Sequence, residues 1–394
     1  MLKTVFLSSG PILLPRPSFG PSPSSTLRPL SSNSNMSTRA DIVRQCSHPV
    51  PASTRVKATS DPKHLTSFAD LLDLLGATTT GHRPPADATE TTIASSTTPT
   101  TTARYHALLL DQFGVLHDGQ VPYPGAIDMV RAVHATGCRI LLLSNSSRRS
   151  SGALRKLSAM GFPEAAFHGV ITSGELTFRS LRDRPTPAWS TLGNRPLWLT
   201  WGDRGAISLA DLDLHPTAEP EDCTFILAHG TEAIGGPHPD GTEFTPTPFA
   251  GLVSLLHRAA ARVPAPTLVL ANPDLVTVDG GTGLRPMPGM LAREYRNRGG
   301  NVFVMGKPDP RMYAAAMKEL GLRPEECLAV GDSLEHDIAG ANAAGCDSVF
   351  ITGGIHAEEC EIVMTEEEGM GGLFEAFEAI PTYVCNRFSA KSSE

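Results

Sequence analysis

The chain has 394 residues, 40% hydrophobic and 19% charged, the balance of a soluble globular protein with room for two ordinary domains. A formal net charge of -8 argues against nucleic acid as the main partner, and no apolar run is long enough to predict a membrane span. The seven cysteines (Cys46, Cys138, Cys223, Cys327, Cys346, Cys360 and Cys385) include no C-x-x-C pair, so they read as small buried hydrophobes rather than bridges, ligands or nucleophiles.

The first 40 residues hold four basic side chains, Lys3, Arg16, Arg28 and Arg39, and no Asp or Glu, amid serine and proline. That composition predicts an unstructured transit peptide over residues 1–60, with a plastid as destination and a mitochondrion as the alternative. Residues 61–76 carry Leu and Phe at helical spacing before a glycine and predict a short helix on the outside of the core. The Thr, Ala, Pro and Ser of 77–103 cannot bury enough apolar surface to offset their ordering entropy, which predicts a linker.

From residue 104 the pattern becomes strand, helix, strand, helix. ALLL ends on Asp111, PGAIDMVRAVHATG reads as a helix, RILLL ends on Ser144, and a further helix and strand follow by residue 190. This rhythm predicts βαβ units on a parallel sheet. Residues 191–300 form a second α/β unit, built from LWLTWG, TFILAHG, a helix through FAGLVSLLHRAAARV and TLVLAN, with a polar Gly/Pro loop at 229–248. The first rhythm resumes over 301–385, starting at NVFVMGKPDP, and 386–394 is read as a tail. The architecture expected is a doubly wound α/β core with a second α/β domain inserted into it.

Four polar clusters end apolar strands or precede helices: Asp111, Ser144-Asn145-Ser146, Lys307, and Asp332 with Asp337. Strand ends in such a sheet converge on one crevice. The carboxylates suit a hard cation such as Mg²⁺. Ser144 and Lys307 suit a phosphate dianion, and Lys307 also favours an ionised Asp111. Asp111 would then attack phosphorus and form an aspartyl-phosphate that water hydrolyses.

The ordered set DQFGV, LLLSNSS, GKPDP and GDSLEHD resembles the four motifs of the haloacid dehalogenase-like hydrolases. The position of the insertion, with ANPD at 271–274 and MPGML at 287–291, resembles the class IIA caps. That branch includes p-nitrophenyl phosphatase-like, pyridoxal phosphatase-like and phosphoglycolate phosphatase-like enzymes. The resemblance implies a phosphatase-type hydrolase acting on a small phosphorylated metabolite. It assigns Asp111 and Lys307 to catalysis and Ser144, Asn145, Asn272 and Asp274 to phosphate or substrate. Asp111, Asp332, Asp337 and the backbone carbonyl of Phe113 become ligands to Mg²⁺, and a homodimer through the cap is implied. Phe113 departs from the pattern, because phosphatases of this family carry there an Asp that moves protons, and a phenyl ring cannot. His117 and Asp118, nearby, are read as exposed turn residues, with the alternative that the turn brings them over the site to substitute for that Asp. Phe113 also leaves open a catalytically weak phosphometabolite-binding or interaction protein and, as a lesser alternative, dehalogenase-like attack on carbon.

Overall fold

A computed structural model describes residues 61–65, 68–76, 103–202, 208–209, 211–235, 244–279, 283–363 and 369–390. The expected transit peptide and all of the expected linker but Ala103 lie outside them. Ala107–Leu110 (β2) is buried at every position and pairs in parallel on both sides, with Arg139–Ser144 (β3) and Cys327–Gly331 (β13). Phe167–Thr172 (β4) adds beyond β3. Asp347–Ile351 (β14), Tyr383–Cys385 (β15) and Lys63–His64 (β1) add beyond β13, all parallel. The order β1-β15-β14-β13-β2-β3-β4 reverses direction between β2 and β13, which is the topological switch point of a doubly wound sheet.

Alternation along the strands fills both faces. Leu108, Leu110, Ile140, Leu142, Leu328 and Val330 face helix Ala126–Ala135, which contributes Met129, Val130 and Val133. Leu109, Leu141, Leu143 and Ala329 face helix Pro310–Leu320, which contributes Met312, Tyr313, Ala316 and Leu320. The latter helix has clear ends, with Asp309 capping it, Pro310 in its first turn and Gly321 closing it at positive φ.

The insertion carries its own six-stranded sheet. Pro196–Thr200 (β5), Phe225–Ala228 (β6), Thr267–Leu270 (β9) and Val302–Val304 (β12) run parallel, while Ala233–Gly235 (β7) and Phe244–Pro246 (β8) are antiparallel. Three boundaries differ from the expected ones. Val302–Val304, read as the return of the core, pairs with β9 and belongs to the cap. The expected polar loop contains β7 and β8, and Val276–Asp279 (β10) with Gly283–Pro286 (β11) forms a hairpin. Residues 386–390 pack rather than trail: Phe388 is buried, and Ser389 Oγ donates to the Pro124 carbonyl at 2.9 Å. The N-terminal helix is Phe68–Leu74, and Leu71 and Leu75 join the core cluster. No described helix is long and apolar enough to cross a membrane, and five of the six described cysteines are buried.

Candidate active site

The register of the core sheet assembles the site. Leu110 lies opposite Val330 on one side and Leu142 on the other, so Asp111, Asp332 and Ser144 emerge from three adjacent strand ends. The Asp111 amide donates to the Val330 carbonyl at 2.9 Å, which carries the sheet pairing up to Asp111 itself. Asp337 arrives from a wide turn, Leu334–Ile338, in which the amides of Asp337 and Ile338 both donate to the Ser333 carbonyl, at 2.9 and 3.1 Å. Tyr313 fixes this turn by donating its hydroxyl to the Asp337 carbonyl at 2.9 Å. Two glycines make the space. A side chain on Gly114 would overlap Asp332 Oδ2, and one on Gly331 would overlap the Asp337 carboxylate.

Lys307 Nζ stands 2.6 Å from Asp111 Oδ1 and 2.6 Å from Asp337 Oδ1, and it also donates to the Leu143 carbonyl at 3.4 Å. All these side chains, and Asp332, are buried. Burial works against the Lys307 charge, but Asp111 and Asp337 outweigh it and hold the ammonium above the ordinary lysine range. Burial pushes the Asp111 carboxyl up to about 7; Lys307 opposes the rise and Asp337 adds to it. Asp332 is pushed well above its ordinary value by burial, Asp111 and Asp337, and its oxygen Oδ2 accepts an uncharged donor, the Ile355 amide, at 2.7 Å.

Burial leads both rises, and the buried cluster sets three carboxylates against one ammonium. Oxygens of Asp111, Asp332 and Asp337 lie within 4.8 Å of one another. A hard divalent cation held by those oxygens would remove the excess, so the donor set fits Mg²⁺. Gly114 lies hard against Asp332, which brings the Phe113–Gly114 peptide, and with it the Phe113 carbonyl, to the edge of the cluster.

The Phe113 ring is 38% exposed and lies on the turn at 117–119. It meets the His117 imidazole edge to face at 6.1 Å, and a side chain on Gly119 would press on it. His117 is buried, not exposed as the sequence suggested. Its Nδ1 accepts the Gly119 amide at 3.0 Å, and its Nε2 has no hydrogen-bond partner among the described residues. Burial, helped by Lys156, lowers its pKa to about 4, so the ring is neutral at pH 7. Asp118 is an exposed turn residue whose carboxylate accepts the Gln120 and Val121 amides, both at 2.8 Å.

The remaining predicted residues divide. Ser144 is at the strand end with Oγ accepting the Ser146 amide at 3.2 Å, which leaves its proton to donate. Asn145 spends its amide inside the protein. Its Oδ1 accepts the Lys307 amide at 2.8 Å, and its Nδ2 donates to Asp274 Oδ1 at 2.9 Å and to the Lys307 carbonyl at 3.3 Å. Asn272 likewise closes its own turn, accepting the Asp274 amide at 2.9 Å. Sequence reasoning missed Ser147, which accepts from Trp201 Nε1 of the cap at 2.9 Å, and His336, whose Nδ1 is 3.9 Å from Asp274 Oδ1. The doubled serine after Asn145 and the histidine inside GDSLEHD were the available signals, but neither says which domain it faces.

Three family models cover the folded part of the chain. Two described as haloacid dehalogenase-like hydrolase match residues 108–213 and 224–345, and one described as HAD-hydrolase-like matches 304–388. The chain belongs to the haloacid dehalogenase-like hydrolases. The α/β insertion between β4 and β13 places it in their class IIA, capped branch. Among hydrolases of this family with solved structures, one from Brucella suis superposes with a TM-score of 0.53 at 29% identity, covering 65% of this chain and 88% of that one. A glycerol phosphate phosphatase from Mycobacterium tuberculosis in complex with magnesium gives a TM-score of 0.52 at 26% identity, covering 74% and 78%. The phospholysine phosphohistidine inorganic pyrophosphate phosphatase of Xenopus laevis is 26% identical over 262 residues, 63% of this chain and 83% of the relative.

Proposed function

We propose that the chain is a magnesium-dependent phosphatase that dephosphorylates a small phosphorylated metabolite through an aspartyl-phosphate on Asp111. The observation that carries this reading is Asp111 itself, held 2.6 Å from Lys307 Nζ at the switch point of the sheet, inside a cluster of three carboxylates. Asp111 attacks phosphorus, and the bond to the leaving oxygen breaks with its electron pair. Water then attacks the same phosphorus and returns the other pair to the Asp111 carboxylate. Lys307 favours the ionised form of Asp111 against burial and offsets phosphoryl charge, and Ser144 donates to a phosphoryl oxygen. Asp111, Asp332, Asp337 and the Phe113 carbonyl would hold magnesium, which when bound supplies the positive charge that lets a carboxylate and a phosphoryl dianion approach. Two relatives, a phospholysine phosphohistidine inorganic pyrophosphate phosphatase and a glycerol phosphate phosphatase in complex with magnesium, support the reaction class and the metal.

Phe113 shapes the expected activity. With no proton offered from this position, turnover falls by roughly 10²–10⁴-fold for poor leaving groups. Aryl phosphates and anhydrides, whose leaving groups need no proton, are affected least. The test is a phosphatase screen in Mg²⁺ comparing wild type, Asp111→Asn and Phe113→Asp. Wild type is expected to exceed Asp111→Asn, with Phe113→Asp gaining most on alkyl phosphates. Wild type no better than Asp111→Asn, with gain in Phe113→Asp, sinks this reading and supports a second one, a phosphometabolite-binding protein, which the Phe113 side chain favours.

For residues 1–60 we propose a plastid address. The check is the mature N-terminus of the protein purified from its own cells; Met1 there would end the idea.

A further inference from the structure

We propose that Asp274 of the cap is a positioning residue for Lys307, so that seating the cap on the core completes the setting of the nucleophile's ammonium partner. The chain of contacts is short and entirely polar. Asp274 Oδ1 accepts from Asn145 Nδ2 at 2.9 Å. The same Asn145 amide grips the main chain of Lys307 from both sides, accepting its N–H at 2.8 Å and donating to its carbonyl at 3.3 Å. Lys307 Nζ then reaches Asp111 and Asp337, each at 2.6 Å.

The grip is tight as well as polar. Gly306, just before Lys307, has φ 136, and a side chain there would meet Asn145 Oδ1 at 2.7 Å and Pro273 Cδ of the cap at 3.1 Å. The cap turn at 272–274 therefore abuts the backbone that carries the lysine. A second tie, Trp201 Nε1 to Ser147 Oγ at 2.9 Å, fastens the cap to the same core loop two residues beyond Asn145.

The amide of Asn145 has its orientation fixed by these partners. Its oxygen must face the Lys307 N–H, and its nitrogen must face both the Lys307 carbonyl and Asp274. Without the Asp274 oxygen the nitrogen keeps only the longer of its two bonds, and the clamp on Lys307 loosens. A displaced ammonium leaves Asp111 and Asp337 facing each other in a buried site. On this account Asp274 acts on the chemistry through Lys307 and need not touch the substrate.

The proposal rests on the phosphatase reading only for its kinetic arm. The variants are Asp274→Ala and Asp274→Asn, whose amide oxygen still accepts from Asn145. The first measurement is hydrogen–deuterium exchange, by mass spectrometry, of the peptide spanning 305–309, because the Lys307 N–H is protected by Asn145 Oδ1. Exchange there is expected to accelerate in Asp274→Ala and to stay near wild type in Asp274→Asn. The second is hydrolysis of p-nitrophenyl phosphate in Mg²⁺, where Asp274→Ala should lose roughly 10–100-fold in kcat with little change in KM, and Asp274→Asn should restore most of it. Unchanged Lys307 exchange in Asp274→Ala overturns the proposal, as does a raised KM with intact kcat. Wild type that hydrolyses no faster than Asp111→Asn removes the phosphatase reading instead, and the exchange measurement still decides this one.

Discussion

At the scale of the residue, the site is a problem in charge. Asp111, Asp332 and Asp337 share one buried space with one ammonium, and Asp332 is the carboxylate farthest from balance. Removing its charge should relieve repulsion in the metal-free protein. Asp332→Asn is therefore expected to be more stable than wild type in EDTA, by roughly 1–2 kcal/mol, and to lose the stabilisation that the proposed Mg²⁺ site predicts for wild type. Thermal melts in the two conditions check this, and a destabilised Asp332→Asn in EDTA would contradict it. The four charged residues were legible in the sequence because each ends an apolar strand or opens the turn after one. The direction of an amide was not legible. Asn145 stands beside Ser144 in SNSS, and nothing in that string tells whether its side chain meets a substrate or the backbone of Lys307. His117 was misjudged for a related reason, since a polar residue between Leu116 and Asp118 reads as turn surface, yet it is buried with its ring perpendicular to that of Phe113.

At the scale of the element, strands were easier to find than to assign. VFV at 302–304 is an apolar run before GKPDP and looks like any buried strand; only its partner, β9, shows that it closes the cap sheet. The short antiparallel β7 and β8 were hidden by the Gly and Pro residues around them. The cap sheet also buries a histidine. His229 Nδ1 accepts from Trp198 Nε1 at 2.9 Å across β5 and the end of β6, and burial lowers its pKa to about 3. Because the unfolded chain protonates this histidine near its ordinary value of 6.5, the unfolded state binds more protons between that pH and about 3. Stability is thus fully present above the unfolded value and falls as pH drops through the window, by up to about 1.4 kcal/mol per pH unit. His117 adds a slope of the same sign. His229→Gln should show a shallower loss between pH 6 and 4 when urea midpoints are compared, and parallel profiles for the two proteins would rule the assignment out. Gly114, at φ 85 and against Asp332, marks another element-scale constraint. Gly114→Ala should displace Asp332 and remove the rise in melting temperature that the proposed Mg²⁺ site predicts.

At the scale of the whole molecule, one sheet supplies the reacting groups and a second domain, inserted between β4 and β13, lies against them through Asn145–Asp274 and Ser147–Trp201. The doubly wound rhythm and the site of insertion could be read from the order of strands and helices. The contacts between the domains could not, because they join residues 54 and 129 positions apart through single side-chain atoms. On the proposed mechanism Asp111 should be phosphorylated readily by an aryl phosphate, whose leaving group needs no proton, and freed slowly, since the Phe113 ring takes no proton from the water. A covalent intermediate on Asp111 should therefore build up during turnover. The direct measurement is acid quench of wild type turning over p-nitrophenyl phosphate in Mg²⁺, followed by mass spectrometry of the peptide that contains Asp111. Phosphoryl on Asp111, diminished in Phe113→Asp as water is activated, is the predicted result. Continued turnover with Asp111 unmodified throughout would contradict the account.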